Sequence, residues 1–290
     1  MLTAFVAPAL GRAEVWRTLL GLVIAAVAGF LALQVVMVGL IVAVGPGRAR
    51  DIALGMARGT SPAGVVALLF VYLPVALGLA LTLRLLMRRG LASLIGPPGP
   101  AMRSFLWVGL PLTALWLLLM PLTTLTDGAT PHLTVRQLAP WLPLALLGLF
   151  LQTGTEELIF RGYLQQQLAA RFRSPLIWMG LPSVLFGLAH YSGAQYGAVA
   201  LLVVVWSALF GLVTADLTAR TGNLGAAVGV HFANNVSAIL LVGLDGPLGG
   251  LALYTLPFDT GDVSGALVFL AFDCLTLLIG WLVARLILRV

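Results

Sequence analysis

The chain has 290 residues, of which 60% are hydrophobic and only 9% charged, with a mean hydropathy of +1.06. A soluble domain carries about a quarter charged residues, so this composition excludes one and fits an all-α, polytopic integral membrane protein. The net charge of +6 rests on arginine alone among the basic residues. With no Arg-rich run interleaved with aromatics it reads as topology signal and attraction to lipid headgroups, and nucleic acid is excluded as a partner.

Arg12 and Arg17 precede a first apolar stretch from about Leu19 to Val44. It is too long for a signal-peptide core and is read as a retained first span. A Gly/Pro/Arg-bearing loop from Gly45 to Pro62 leads to a second span, about Val65 to Leu86, closed by Arg84, Arg88 and Arg89. Gly90 to Arg103, with Pro97, Pro98 and Pro100, reads as too proline-rich for a helix. A third span covers about Phe105 to Leu125, and Asp127 to Pro140 is a polar connection in which His132 reads as a surface histidine.

The fourth span runs from about Pro140 to Phe172, longer than the hydrocarbon layer. A fifth extends from Pro175 to about Tyr191, followed by a turn at Gly193 to Gly197. The sixth and seventh spans are placed at Ala198 to Leu217 and Leu224 to Leu241, and the eighth at Gly265 to Leu288. The chain thus divides into helices one to three (1–138), a core of helices four to seven (139–242), and an outer loop with helix eight (243–290). Arg12, Arg17, Arg84, Arg88, Arg89, Arg103, Arg171, Arg173, Arg220, Arg285 and Arg289 fall on the side of both termini; Arg48, Arg50, Arg58 and Arg136 fall opposite. The positive-inside rule therefore predicts cytoplasmic termini, in a bacterial inner membrane. Trp16, Trp107, Trp141, Trp178 and Trp281 near the span ends fit an interfacial belt. Cys274, the single cysteine, sits in an apolar run, which leaves no internal disulfide and no cysteine-based metal site.

Charge inside the fourth span demands a reason, since an ionisable group at that depth costs several kcal/mol unless paired or facing water. Glu157 and Arg161 are four apart and share a helix face. Glu156 is about 140° around the helix from Arg161 and is left over to point elsewhere. The alternative is a structural Glu–Arg pair at a helix end, with Glu156 reaching the interface.

Downstream, Phe186/His190 and His231/Asn235 are two more same-face pairs on apolar helices. A lone intramembrane histidine often does no more than hydrogen-bond a neighbouring helix. Two glutamates, two histidines and an asparagine on three spans can instead converge. Glu156 beside a neutral histidine could deprotonate a water, while a second histidine with an asparagine could stabilise an oxyanion. A zinc site built on Glu and two His is the weaker option, because there is no His-Glu-x-x-His helix.

Glu156-Glu157-x-x-x-Arg161, Phe186-x-x-x-His190 and His231-x-x-x-Asn235, in that order, resemble the three motifs of the CPBP intramembrane protease family. The family is named for type II CAAX prenyl endopeptidases and bacteriocin-processing proteins, and the resemblance covers about Trp141 to Leu241. It implies that Glu156 and His190 activate a water and that His231 and Asn235 hold the oxyanion. Glu157, Arg161 and Phe186 would support them, with no cofactor. The expected substrate is a membrane-associated or lipid-modified protein or peptide, and the resemblance does not carry over which one.

The rivals are a scaffold, immunity protein or transporter using the same polar cluster, or a zinc-dependent membrane protease. A rhomboid-type serine protease fails, because the only Gly-x-Ser, Gly59-Thr60-Ser61, lies in a loop before Pro62. An aspartyl protease would need Asp216 and Asp273 to face each other, and both read better as local caps or pairs.

Overall fold

In the computed structural model, residues 1–124, 128–257 and 259–290 are described. The expected end of the third span at Leu125 and the start of the following connection at Asp127 lie outside them. Nine main helices carry the fold among the described residues: α1 (Val15–Val44), α2 (Pro46–Arg58), α3 (Pro62–Met87), α4 (Pro98–Thr124), α5 (142–171), α6 (Leu176–Ala189), α7 (Gly193–Thr221), α8 (Gly225–Leu241) and α9 (Val263–Leu288).

Five of these, α1, α3, α4, α7 and α9, contain stretches long and apolar enough to cross a membrane. The expectation was eight spans. α6 and α8 are apolar but shorter, of 10–17 residues. α5 carries Glu156, Glu157 and Arg161, so its charge sets it apart from the five.

Two further expectations are corrected. The loop between the first two spans holds α2, because Pro46 sits at the first helical position, where its missing N–H costs nothing. The same reason lets α4 begin at Pro98 and carry Pro100 in its first turn. The chain is all-α as expected, with 82% helical content, and adds a small sheet. Thr130–Pro131 (β1) pairs antiparallel with Tyr254–Leu256 (β3), and Val242–Leu244 (β2) pairs parallel with β3, giving the order β1-β3-β2. His132 extends this edge, its N–H donating to Leu253 O at 2.8 Å. The N-terminus adds a short helix, Leu2–Val6, that buries Phe5 and Val6.

Packing centres on α8, which is buried along most of its length and touches α4, α5, α7 and α9. Close approach sets its contact with α4: a Cβ at Gly225 would lie 1.9 Å from Ala101 O. A second tight crossing joins α1 to α3, where a Cβ at Gly78 would lie 2.4 Å from Ala25 O. In lipid there is no hydrophobic drive between helices, so small residues that let backbones meet supply the packing. α7 stops at Gly222, whose φ of 68° suits glycine and turns the chain straight into α8.

Candidate active site

α5 brings its acids to the bundle interior, where it packs against both α3 and α8. Gln152, Thr153, Thr155, Glu156, Glu157 and Arg161 are all buried, against a helix that exposes Leu144, Leu147 and Phe150. From Leu158 to Gln165 the helix widens into π-type turns, a local geometry that recurs at functional sites.

The expected ion pair is present. Arg161 Nη1 donates to Glu157 Oε1 at 3.0 Å, with both side chains at most 1% exposed. His231 Nδ1 meets the same Glu157 oxygen at 2.8 Å, which ties α8 to α5. The guanidinium lies 4.5 Å from the Phe186 ring centroid, so Phe186 caps the buried charge. Phe186 also touches the His190 ring (4.6 Å between centroids) and the His231 ring (5.9 Å), and so separates the two imidazoles.

Glu156 is the other kind of carboxylate. Its Oε1 accepts a 2.7 Å hydrogen bond from the Tyr72 hydroxyl of α3. Its Oε2 stands 3.5 Å from His231 Nε2 without making a hydrogen bond. The family resemblance pairs Glu156 with His190; in the structure His231 stands beside Glu156. His190 closes α6, its Nδ1 facing Phe186 O at 2.8 Å. With that nitrogen donating to a carbonyl, Nε2 is left as the acceptor. Asn235 donates from Nδ2 to Gln152 Oε1 at 2.8 Å, one turn before Glu156 on α5.

Glu156, His190, His231 and Asn235 line one cavity of about 720 Å³, with Tyr72 and Gln152. Its walls are otherwise mostly apolar, including Leu68, Trp116 and Trp206, and β2 and the turn after it contribute Val242, Leu244 and Leu248. A polar floor in an apolar, concave chamber is the usual form of a site for a small or extended substrate. Such a chamber can hold a water against a carboxylate and present N–H donors to a carbonyl oxygen. Among the described residues, no three His, Cys, Asp or Glu side chains come together as a metal-binding group.

Residues 138–237 match the family described as Rce1-like, type II CAAX prenyl endopeptidase. This region is similar to the family that the three motifs resemble. It runs from the end of the connection before α5 to the end of the His231–Asn235 turn of α8, so all seven motif residues fall inside it. The chain is also similar to the uncharacterized protein YyaK of Bacillus subtilis, at 32% identity over 103 residues, 35% of this chain and 34% of that protein. The chain therefore aligns with about a third of that relative's length. No solved structure matches the chain.

Tyr72 and Gln152 are site residues that motif reasoning passes over. Tyr72 lies outside the Rce1-like region, on α3. Its signal was a lone hydroxyl within an apolar helix, which in a bilayer needs a partner. Gln152 is four residues before Glu156, on the same helix face.

Proposed function

We propose that the chain is an intramembrane endopeptidase that hydrolyses a peptide bond of a membrane-associated or lipid-modified protein. The observation that carries this reading is the division of labour between the two glutamates. Glu157 bonds Arg161 and His231 through one oxygen and does not line the cavity, whereas Glu156 lines it together with His190 and Asn235.

In this reading the Tyr72 hydrogen bond fixes the Glu156 carboxylate so that Oε2 takes the proton of an attacking water. His190 Nε2 accepts from the same water. Attack on the carbonyl carbon makes a tetrahedral oxyanion, to which His231 Nε2–H and the second Nδ2–H of Asn235 donate. A doubly protonated His231 gives Glu156, Glu157, Arg161 and His231 a net charge of zero, which suits a buried group of four. Glu156 then passes its proton to the leaving amine, and the bond breaks.

Eight helices cross the bilayer here. The five long ones are joined by α5, α6 and α8, and the arginine distribution favours both termini in the cytoplasm. No step needs a metal ion, so turnover is expected to survive a permeant chelator. The test is substrate trapping. Glu156→Gln, expressed in membranes, should retain a peptide that the unsubstituted chain cleaves. A Glu156→Gln chain that still cleaves it would overturn the reading.

A further inference from the structure

The motif residues are not the only acids in the cavity. Asp273 lies ten residues into α9, on the face that also presents Phe269, Phe272 and Thr276 to the chamber. Asp245, after β2, stands at the exposed part of the lining. With Glu156 the chamber holds three carboxylates, and no arginine lines it, in a chain whose net charge is +6.

Asp273 was expected to cap or pair locally, as Asp216 does. Asp216 takes both Arg220 Nε, at 2.8 Å, and Trp281 Nε1, at 2.9 Å. Asp273 differs: its backbone carbonyl accepts from Thr276, while no described residue hydrogen-bonds or ion-pairs its carboxylate. The one arginine within α9, Arg285, donates to Val290 O and stacks on Trp281. A carboxylate held in the wall of an intramembrane cavity without a partner from its own chain is costly, and the default account is a partner that arrives from elsewhere. The same chamber contains Glu156 Oε2, on a side chain 9% exposed and likewise without a hydrogen bond, so it is shaped for a polar occupant.

We infer that Asp273 selects substrates carrying a basic side chain or an amino group close to the scissile bond. This rests on the proteolytic reading for the word substrate, but the cation preference itself does not. A cation entering the chamber meets Asp245 first and is neutralised by Asp273, while the peptide bond lies over Glu156. An acidic residue in that place meets like charge on every side and is rejected. Asp273 lies outside the region that matches the family, so the preference belongs to this chain and not to the shared motifs.

The test uses palmitoylated peptides in phosphatidylcholine vesicles, identical except for Lys, norleucine or Glu placed in turn at each position. Binding is read on the full-length Glu156→Gln chain by quenching of tryptophan fluorescence, since Trp116 and Trp206 line the chamber. Turnover is read separately on the unsubstituted chain. At one position or more, Lys should be favoured over Glu by about tenfold or more, as expected of an ion pair away from bulk water. Adding Asp273→Asn should bring that ratio close to one, and Asp273→Glu should restore part of it. A ratio near one at every position with Asp273 intact overturns the inference, whether or not the Asn variant folds. A ratio that Asp273→Asn leaves unchanged overturns it as well. Selective, Asp273-dependent binding without turnover would sink the protease reading and leave the cation site standing; turnover without selectivity would do the reverse.

Discussion

The outer helices and the helix carrying the acids obey opposite rules. In α1 and α9 the most apolar windows have mean hydropathies of 2.6 and 2.3, yet only 6% of each is buried. α5 is punctuated by Gln, Thr, Glu and Arg, and these are the residues it buries: Glu157, Gln165 and Gln166 are each at 0% exposure. Water would invert this arrangement. In a bilayer the apolar surface is already at rest against lipid, so it gives no reason to go inside, whereas every polar group must find a partner there. Hydropathy therefore marks where the chain meets lipid, and polarity marks where it meets itself.

The largest effect that follows is on folding. Glu157→Gln leaves Arg161 buried without its counter-charge and loosens His231. The cost should be about 3–5 kcal/mol, read as loss of folded yield and of thermal stability in detergent. The double change Glu157→Gln with Arg161→Met should recover part of it; no recovery would mean that the pair does not hold the bundle.

Next comes Asn235→Ala, which should lower turnover about 100- to 1,000-fold with the fold kept, as removal of one oxyanion donor does. Retained turnover would take Asn235 out of the chemistry and leave it as a tie to Gln152. Tyr72→Phe keeps the ring and loses the hydrogen bond that aims Glu156. A hydrogen bond to a charged group is worth about 1.5–3 kcal/mol, so turnover should fall by about tenfold or more. An unchanged rate would confine the site to the Rce1-like region.

The smallest effects compare two glycines. A Cβ at Gly225 meets the Ala101 carbonyl, so Gly225→Ala should destabilise by about 1–3 kcal/mol. Gly39→Ala on α1, where a Cβ has nothing within 4 Å, should change stability by less than about 0.5 kcal/mol. Equal effects would contradict the division into a packed interior and a lipid-facing rim.

What could be read from sequence follows the range of the interaction. The Glu157–Arg161 pair was legible because four residues of helix fix its geometry, and the π-type turns from Leu158 to Gln165, which include Arg161, leave that contact intact. The lone position of Glu156 followed from the same spacing. Which histidine stands beside it did not, because that depends on how α5, α6 and α8 pack, and spacing within one helix carries no such information. Tyr72 reaches Glu156 across 84 residues of sequence, with no local mark beyond its hydroxyl.

The long helices were visible in hydropathy. α2 and the start of α4 were not, because Pro46, Pro98 and Pro100 were read as breakers when they sit in first turns. The sheet has strands of two and three residues, too short for an alternation to register.

The central claim is that two adjacent glutamates, both buried, do different work. It is tested most directly by measuring turnover per folded molecule for Glu156→Gln and Glu157→Gln side by side, on a peptide identified by trapping. Glu156→Gln should fold in near-normal yield and lose about two to four orders of magnitude in rate, the usual contribution of a positioned general base. Glu157→Gln should lose mainly yield. Full turnover by a folded Glu156→Gln chain, or equal loss of yield in the two variants with unchanged activity per folded molecule, would contradict the account.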